Sequence, residues 1–242
     1  MSVTPLTPAP AFRGRIGRDP RSGHYAVPRR YRLHLSPDHD DCLRIAVVHS
    51  LLGLERVCPV TVLDAVPDCP DGGHSALRPL YEASAHRYRG PAVAPVLSDD
   101  WSGRIVSTHA RDIMRDLARY FTSPAGPVLY PCGAETEIER VELLCERTAD
   151  PAALPGVLDA LERRLTAHPY VVGDRPTAAD VEVWVALVRH DGPRRTAGHP
   201  ALWSHVRRLT AHPAFGRHLA DRPALEARAV PRVPRRGAPP RP

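Results

Sequence analysis

Pro169-Tyr-Val-Val-Gly-Asp-Arg-Pro-Thr-Ala-Ala-Asp180 runs directly into Val181-Glu-Val-Trp-Val-Ala-Leu-Val-Arg-His190, and this junction decides the architecture. Thr177 offers an N-cap hydroxyl. Asp180, three residues on, offers an acid that reaches back to the N–H of the cap, a capping box with Asp in place of the usual Glu or Gln. Such a start is common to many helices, so its surroundings carry the information. From Pro124 onward the pattern is of helices only. Glu135–Arg147 reads as one, and Leu154–His168 as another with a clear apolar face. The capped helix follows, then Leu202–Ala211, then a short helical stretch at Ala214–Leu219.

Upstream the periodicity changes. Tyr31–Leu35 alternates and ends at Ser36-Pro37, a strand entering a turn. Leu43–Leu52 has helical spacing and stops before Gly53, and Val57–Leu63 is a second β-branched run. Residues 64–92 read as loop. Ala94–Leu97 and Ile105-Val106 flank the turn Asp99-Asp-Trp-Ser-Gly103, a hairpin signal, and Ser107 or Thr108 is placed to cap a helix through Tyr120. The order β-α-β-loop-β-β-α is that of a thioredoxin-like domain. The predicted organisation is an irregular arm at 1–30, a thioredoxin-like α/β domain at 31–122, an all-α domain at 123–221, and a disordered Arg/Pro-rich tail at 222–242.

The chain has 242 residues, a formal charge of +6 and a pI of about 9.4. That basicity invites a nucleic-acid reading until its location is considered. Residues 1–32 carry a net +6 and residues 222–242 a net +5, which leaves −5 on the 189 residues between. The basic ends also lack interleaved aromatics, so no nucleic-acid surface is expected. All 33 basic residues are Arg, a bias that GC-rich codon usage produces, as in an actinobacterium. Cys42, Cys58, Cys69, Cys132 and Cys145 form no CxxC pair. With no apolar leader at the start and no run of membrane-spanning length, reduced thiols in the cytoplasm and no membrane partner are expected. There is neither a phosphate-loop glycine signature nor a Gly-x-Ser-x-Gly elbow.

Residues 169–180 resemble the segment of glutathione transferases in which a buried capped helix nucleates the helical C-terminal domain. Ala11–Ile16, Tyr31–Ser36, Ala94–Leu97 with Gly103–Val106, Leu129–Pro131 with Glu137-Ile138, and Leu187–Asp191 together resemble the Xi class, the glutathionyl-hydroquinone reductases. The resemblance implies the glutathione-transferase fold, a ligand in the interdomain cleft and a homodimer. In the family the first strand ends in a Ser-x-x-Cys-Pro-Trp-x-x-Arg turn whose Cys is a nucleophilic thiolate. Aligning Ser36 and Arg44 with the ends of that motif puts His39 where the Cys stands, with Cys42 one helical turn later.

His39 cannot exchange thiols but can act as acid or base near neutral pH. Cys42 is either a displaced nucleophile or a small apolar residue. Pro95 matches the family's cis-proline, with Ala94 offering backbone contacts. The pair that grips the γ-glutamyl group is replaced by His109 and Ala110, next to Thr108. Glutathione or mycothiol is therefore a doubtful cofactor, and the reductase site reads as degenerate.

His34, Asp38, His39, Asp40 and Asp41 are plausible metal ligands in type, but neighbours in a row seldom converge, and no metal is expected. The expected site is His39 and Cys42 for chemistry, with Ser36, Asp38, Arg44, Ala94, Pro95, Thr108 and His109 around the substrate. Three functions fit these residues. One is a transferase-like enzyme repurposed for a small organic molecule, as in specialised metabolism. The others are a non-catalytic ligand-binding or scaffolding protein, and a residual thiol transferase using Cys42.

Overall fold

The computed structural model describes residues 12–123, 126–189 and 198–219. The first residues of the arm, the tail at 222–242, His190-Asp191 and most of the Gly192–Pro200 stretch lie outside the described residues. The N-terminal half is built from β1 (Tyr31–Leu35), α1 (Asp40–Leu51), β2 (Val60–Val62), α2 (Arg78–Ser84), β3 (Val96–Asp99), β4 (Arg104–Ser107) and α3 (Ala110–Tyr120). The sheet order is β2-β1-β3-β4; β1 runs parallel to β2 and antiparallel to β3, and β3–β4 is the hairpin read from the sequence. The alternation in β1 is the reason for its place in the sheet: Tyr31, Leu33 and Leu35 are buried while Arg32 and His34 face outward.

Three local readings need correction. Residues 64–92 contain a tight turn at Ser75–Leu77 that leads into α2, whose buried anchors are Leu77 and Tyr81. Two turns of helix carry too few apolar repeats to show a period, and Pro79 at its start reads like loop. The second strand is only three residues, because the N–H groups of Val57 and Cys58 turn back onto the carbonyl of Leu54. The cap of α3 is His109, discussed below.

The arm from Phe12 onward pairs with the sheet edge. Gly14 donates to the Val106 carbonyl at 2.8 Å, and Thr108 donates to Phe12. A Cβ at position 14 would lie 2.6 Å from that carbonyl oxygen, so this approach requires glycine. Arg15 and the backbone N–H of Ile16 then close on Asp116, at 2.6 and 2.7 Å.

The helical half comprises α4 (Glu135–Glu146), α5 (Leu154–Ala167), α6 (Ala178–Val188), α7 (Pro200–Ala211) and the short α8 (Pro213–Gly216). Every residue of α6 is buried, so this helix is the core of its domain. The capping box forms as read. Asp180 Oδ2 accepts from the Thr177 N–H at 2.7 Å, and Oδ1 accepts from the Val171 N–H at 3.0 Å. α6 also packs against α1, which joins the two halves and sets the first turns of α1 and α3 facing the helical domain.

Candidate active site

The site lies where the starts of α1 and α3 meet α4 and α6. α1 and α3 are both capped by histidine. His39 Nδ1 accepts from the Asp41 N–H at 3.2 Å, and His109 Nδ1 accepts from the Asp112 N–H at 3.4 Å. An imidazole nitrogen thus does what a Ser or Asp oxygen usually does. Ser107, expected to cap α3, instead accepts the His109 N–H on its hydroxyl at 3.1 Å, while Thr108 pairs with the arm.

Between these helix starts and the helical domain is a cavity of about 300 Å³, lined by Asp41 and Arg44 of α1, His109, Ala110 and Arg111 at α3, Glu142 and Glu146 of α4, and Glu182 of α6. Arg44 is the hinge of its charge pattern: Nε pairs with Glu182 at 2.6 Å and Nη1 with Asp41 at 3.0 Å. Arg111 pairs with Glu146 at 2.6 Å and with Glu142 at 3.2 Å, and Arg115 reaches Glu142 from the side at 3.4 Å. Glu142 and Glu182 are each only 2% exposed. Burial raises both carboxyls above their ordinary range, against the opposing pull of Arg115 and Arg111 on Glu142 and of Arg44 on Glu182. Burial likewise lowers His109, with Asp112 pulling the other way, so its ring is neutral at pH 7. Arg13 Nη2 contacts that ring at 3.1 Å from Nδ1 and 3.3 Å from Nε2, which orients it.

The sequence-predicted residues separate. Arg44 and His109 line the cavity. His39 is exposed, caps α1 and is not among the lining residues. Ser36 is buried and donates to the Asp64 carbonyl at 3.1 Å, which ties down the chain after β2. Asp38 lies 3.8 Å from Arg189, which also pairs with Asp40 at 3.2 Å and donates to the Pro37 carbonyl, so α6 holds the altered turn from behind. Ala94-Pro95 is a cis peptide, buried ahead of β3. Thr108 donates its backbone N–H to the arm.

Cys42 is 1% exposed, and burial pushes its thiol up to about 12, which leaves it protonated and shielded from solvent. Of the two readings of Cys42, this burial favours the small apolar residue. The dense His/Asp run disperses as well, with His34 turning to Ser98 at 3.0 Å. Among the described residues no three His, Cys, Asp or Glu side chains gather as a metal site.

Sequence reasoning missed Arg111, Glu142, Glu146 and Glu182, and weighed Asp41 only as a metal ligand. One signal was available: Glu182 is a lone acid inside the apolar run Val181–Val188.

The fold and this interdomain site define a glutathione transferase-type protein. A family model described as "Glutathione S-transferase, C-terminal domain" matches residues 146–225. The chain is 26% identical over 235 residues to a glutathionyl-hydroquinone reductase of Sphingobium chlorophenolicum, covering 79% of this chain and 75% of that one. It resembles a glutathione transferase structure from Gordonia bronchialis at 26% identity and a TM-score of 0.72, covering 86% of this chain and 78% of that one. The glutathione-bound Escherichia coli homologue shares the fold at 24% identity and a TM-score of 0.73, covering 86% and 84%. The chain has the glutathione-transferase fold and a matched C-terminal domain, and it is similar to the glutathionyl-hydroquinone reductases, the Xi class. No helix among the described residues is long and apolar enough to cross a membrane.

Proposed function

We propose that this chain is a transferase-like enzyme that binds a small organic molecule in the interdomain cavity and acts on it by proton transfer, without a thiol nucleophile. The observation that carries the reading is the pairing of a neutral, oriented His109 on the cavity wall with a Cys42 thiol buried away from it. With Nδ1 accepting from the Asp112 N–H, the neutral ring carries its proton on Nε2, so it gives that proton to a substrate held against it and takes one back later in the cycle. His39, one helix start away, is the second candidate for that role.

Glutathione fits the residues poorly. It brings two carboxylates to a cavity that already holds four acids against two arginines, and Ala110 gives it nothing to hold. Ala94 and Pro95 retain backbone groups for a ligand, so the scaffold persists where the side-chain chemistry has changed. A homodimer belongs to this reading, with sedimentation as its check.

The test is turnover of a panel of small carbonyl and amine compounds, with and without added glutathione, by the native chain, Cys42→Ala, His39→Ala and His109→Gln. Thiol-independent turnover should survive Cys42→Ala and fall about a hundredfold or more in His109→Gln. Glutathione-dependent release of a quinol from a glutathionyl-hydroquinone, abolished by Cys42→Ala, would overturn the reading. Both histidines commit a ring nitrogen to a helix cap, and this favours a second reading, a non-catalytic binding protein; saturable binding without turnover would select it.

A further inference from the structure

Glu142 and Glu182 approach the cavity from different helices in the same way. Each commits Oε2 to arginine: Glu142 to Arg111 at 3.2 Å and Arg115 at 3.4 Å, Glu182 to Arg44 at 2.6 Å. Each leaves Oε1 buried with no hydrogen-bond donor among the described residues. An acceptor in that position carries a desolvation cost that a donor from a ligand would relieve. The lining adds a charge argument. Asp41, Glu142, Glu146 and Glu182 outnumber Arg44 and Arg111 by two. Including the flanking Arg115 adds Glu139, its partner at 3.1 Å, so the excess stays at two. An anion entering here meets like charge, while an ammonium group, with three donors and no acceptor, matches two carboxylate oxygens that lack a donor.

We propose that the cavity is a cation subsite, in which Glu142 and Glu182 hold the ammonium or guanidinium group of an amine-bearing small molecule. The proposal rests on reading this cavity as the ligand site and names the class of its ligand. Glu146, exposed at the mouth and paired with Arg111, guides the cation inward, and the two buried acids fix it. His109, also in the lining, then meets a further portion of the ligand.

The probe is agmatine, which carries an ammonium at one end and a guanidinium at the other, titrated calorimetrically into the full chain at pH 8 and low salt. Succinate is the charge-reversed control. Saturable one-to-one binding of agmatine is expected, with none for succinate. Glu142→Gln and Glu182→Gln should each weaken it at least about tenfold, since each removes one charge-assisted partner. Glu55→Gln, which alters an exposed pair with Arg217, should leave it unchanged. Failure of agmatine to bind, or an affinity in both cavity variants equal to that of the native chain, overturns the proposal. Succinate binding that His109→Gln weakens would overturn the cation subsite while leaving the cavity as a ligand site; with neither probe bound, both readings fall. Should a variant fail to fold, a crystal soaked in agmatine decides. Density within hydrogen-bond distance of both Oε1 atoms supports the proposal, and density elsewhere or water alone overturns it.

Discussion

Asp180 and Glu182 lie two residues apart on α6, both fully buried, and they are used in opposite ways. Asp180 has no oxygen to spare: Thr177 donates to Oδ2 through both its N–H and its hydroxyl, Val171 donates to Oδ1, and His205 lies 3.2 Å from Oδ1. Glu182, which lines the cavity, spends one oxygen on Arg44 and leaves the other without a donor among the described residues. A buried acid that is fully satisfied defines where a helix begins. One that is half satisfied stores an interaction for something that is not part of the chain.

The comparison breaks most visibly at Asp180. Asp180→Ala removes the capping box together with the links to Val171 and His205, and should cost about 4 kcal/mol, combining a lost cap with lost charge-assisted hydrogen bonds. Urea denaturation measures it, and a loss below about 1 kcal/mol would mean the box is ornamental. Arg44→Ala comes next. It strands Glu182 as a buried carboxylate and removes the tie between α1 and α6, for about 3 kcal/mol. The double variant Arg44→Met/Glu182→Leu should recover most of that loss, because an apolar pair leaves no charge to compensate.

The fully satisfied half of this contrast was legible in the sequence, and the other half was not. Thr177 and Asp180 lie three apart and interact through local backbone, so spacing alone reveals them. The strands and long helices were legible for the same reason: β1 alternates and α5 has one apolar face. The cavity instead gathers Arg44, Arg111, Glu142 and Glu182 from four helices, and no short-range pattern records which helices will meet. His39 was found by its place in a family motif, and its role as the cap of α1 was not, because imidazole is seldom a cap. Cys42 was visible as a residue, but whether it was a nucleophile depended on burial, which one helical turn of sequence does not fix.

Cys42 sharpens the contrast from the thiol side. Cys42→Ala should cost about 1 kcal/mol, the scale of a small buried deletion, with no change in ligand binding. In the native chain iodoacetamide at pH 7 should modify the exposed Cys132 well before Cys42, read by peptide mass mapping. Rapid alkylation of Cys42 would reopen thiol chemistry.

The smallest effect separates the two acids by pH. Glu142 and Glu182 bind their protons more tightly in the folded chain than the ordinary carboxyl value of 4.5. Between that value and the raised one, the folded state carries more protons than the unfolded state, so stability falls as pH rises through the window. His109, held below its ordinary 6.5, acts in the opposite sense: folding gains stability as pH rises toward 6.5. Raw profiles therefore mix two slopes. The difference between native chain and variant removes the His109 contribution and isolates one carboxyl. Glu182→Gln and Glu142→Gln should each gain on the native chain as pH is taken from 4.5 upward, in urea melts at matched ionic strength. If Glu182→Gln instead lost ground with rising pH, the free oxygen on α6 would be satisfied inside the fold, and the two acids would be doing the same work.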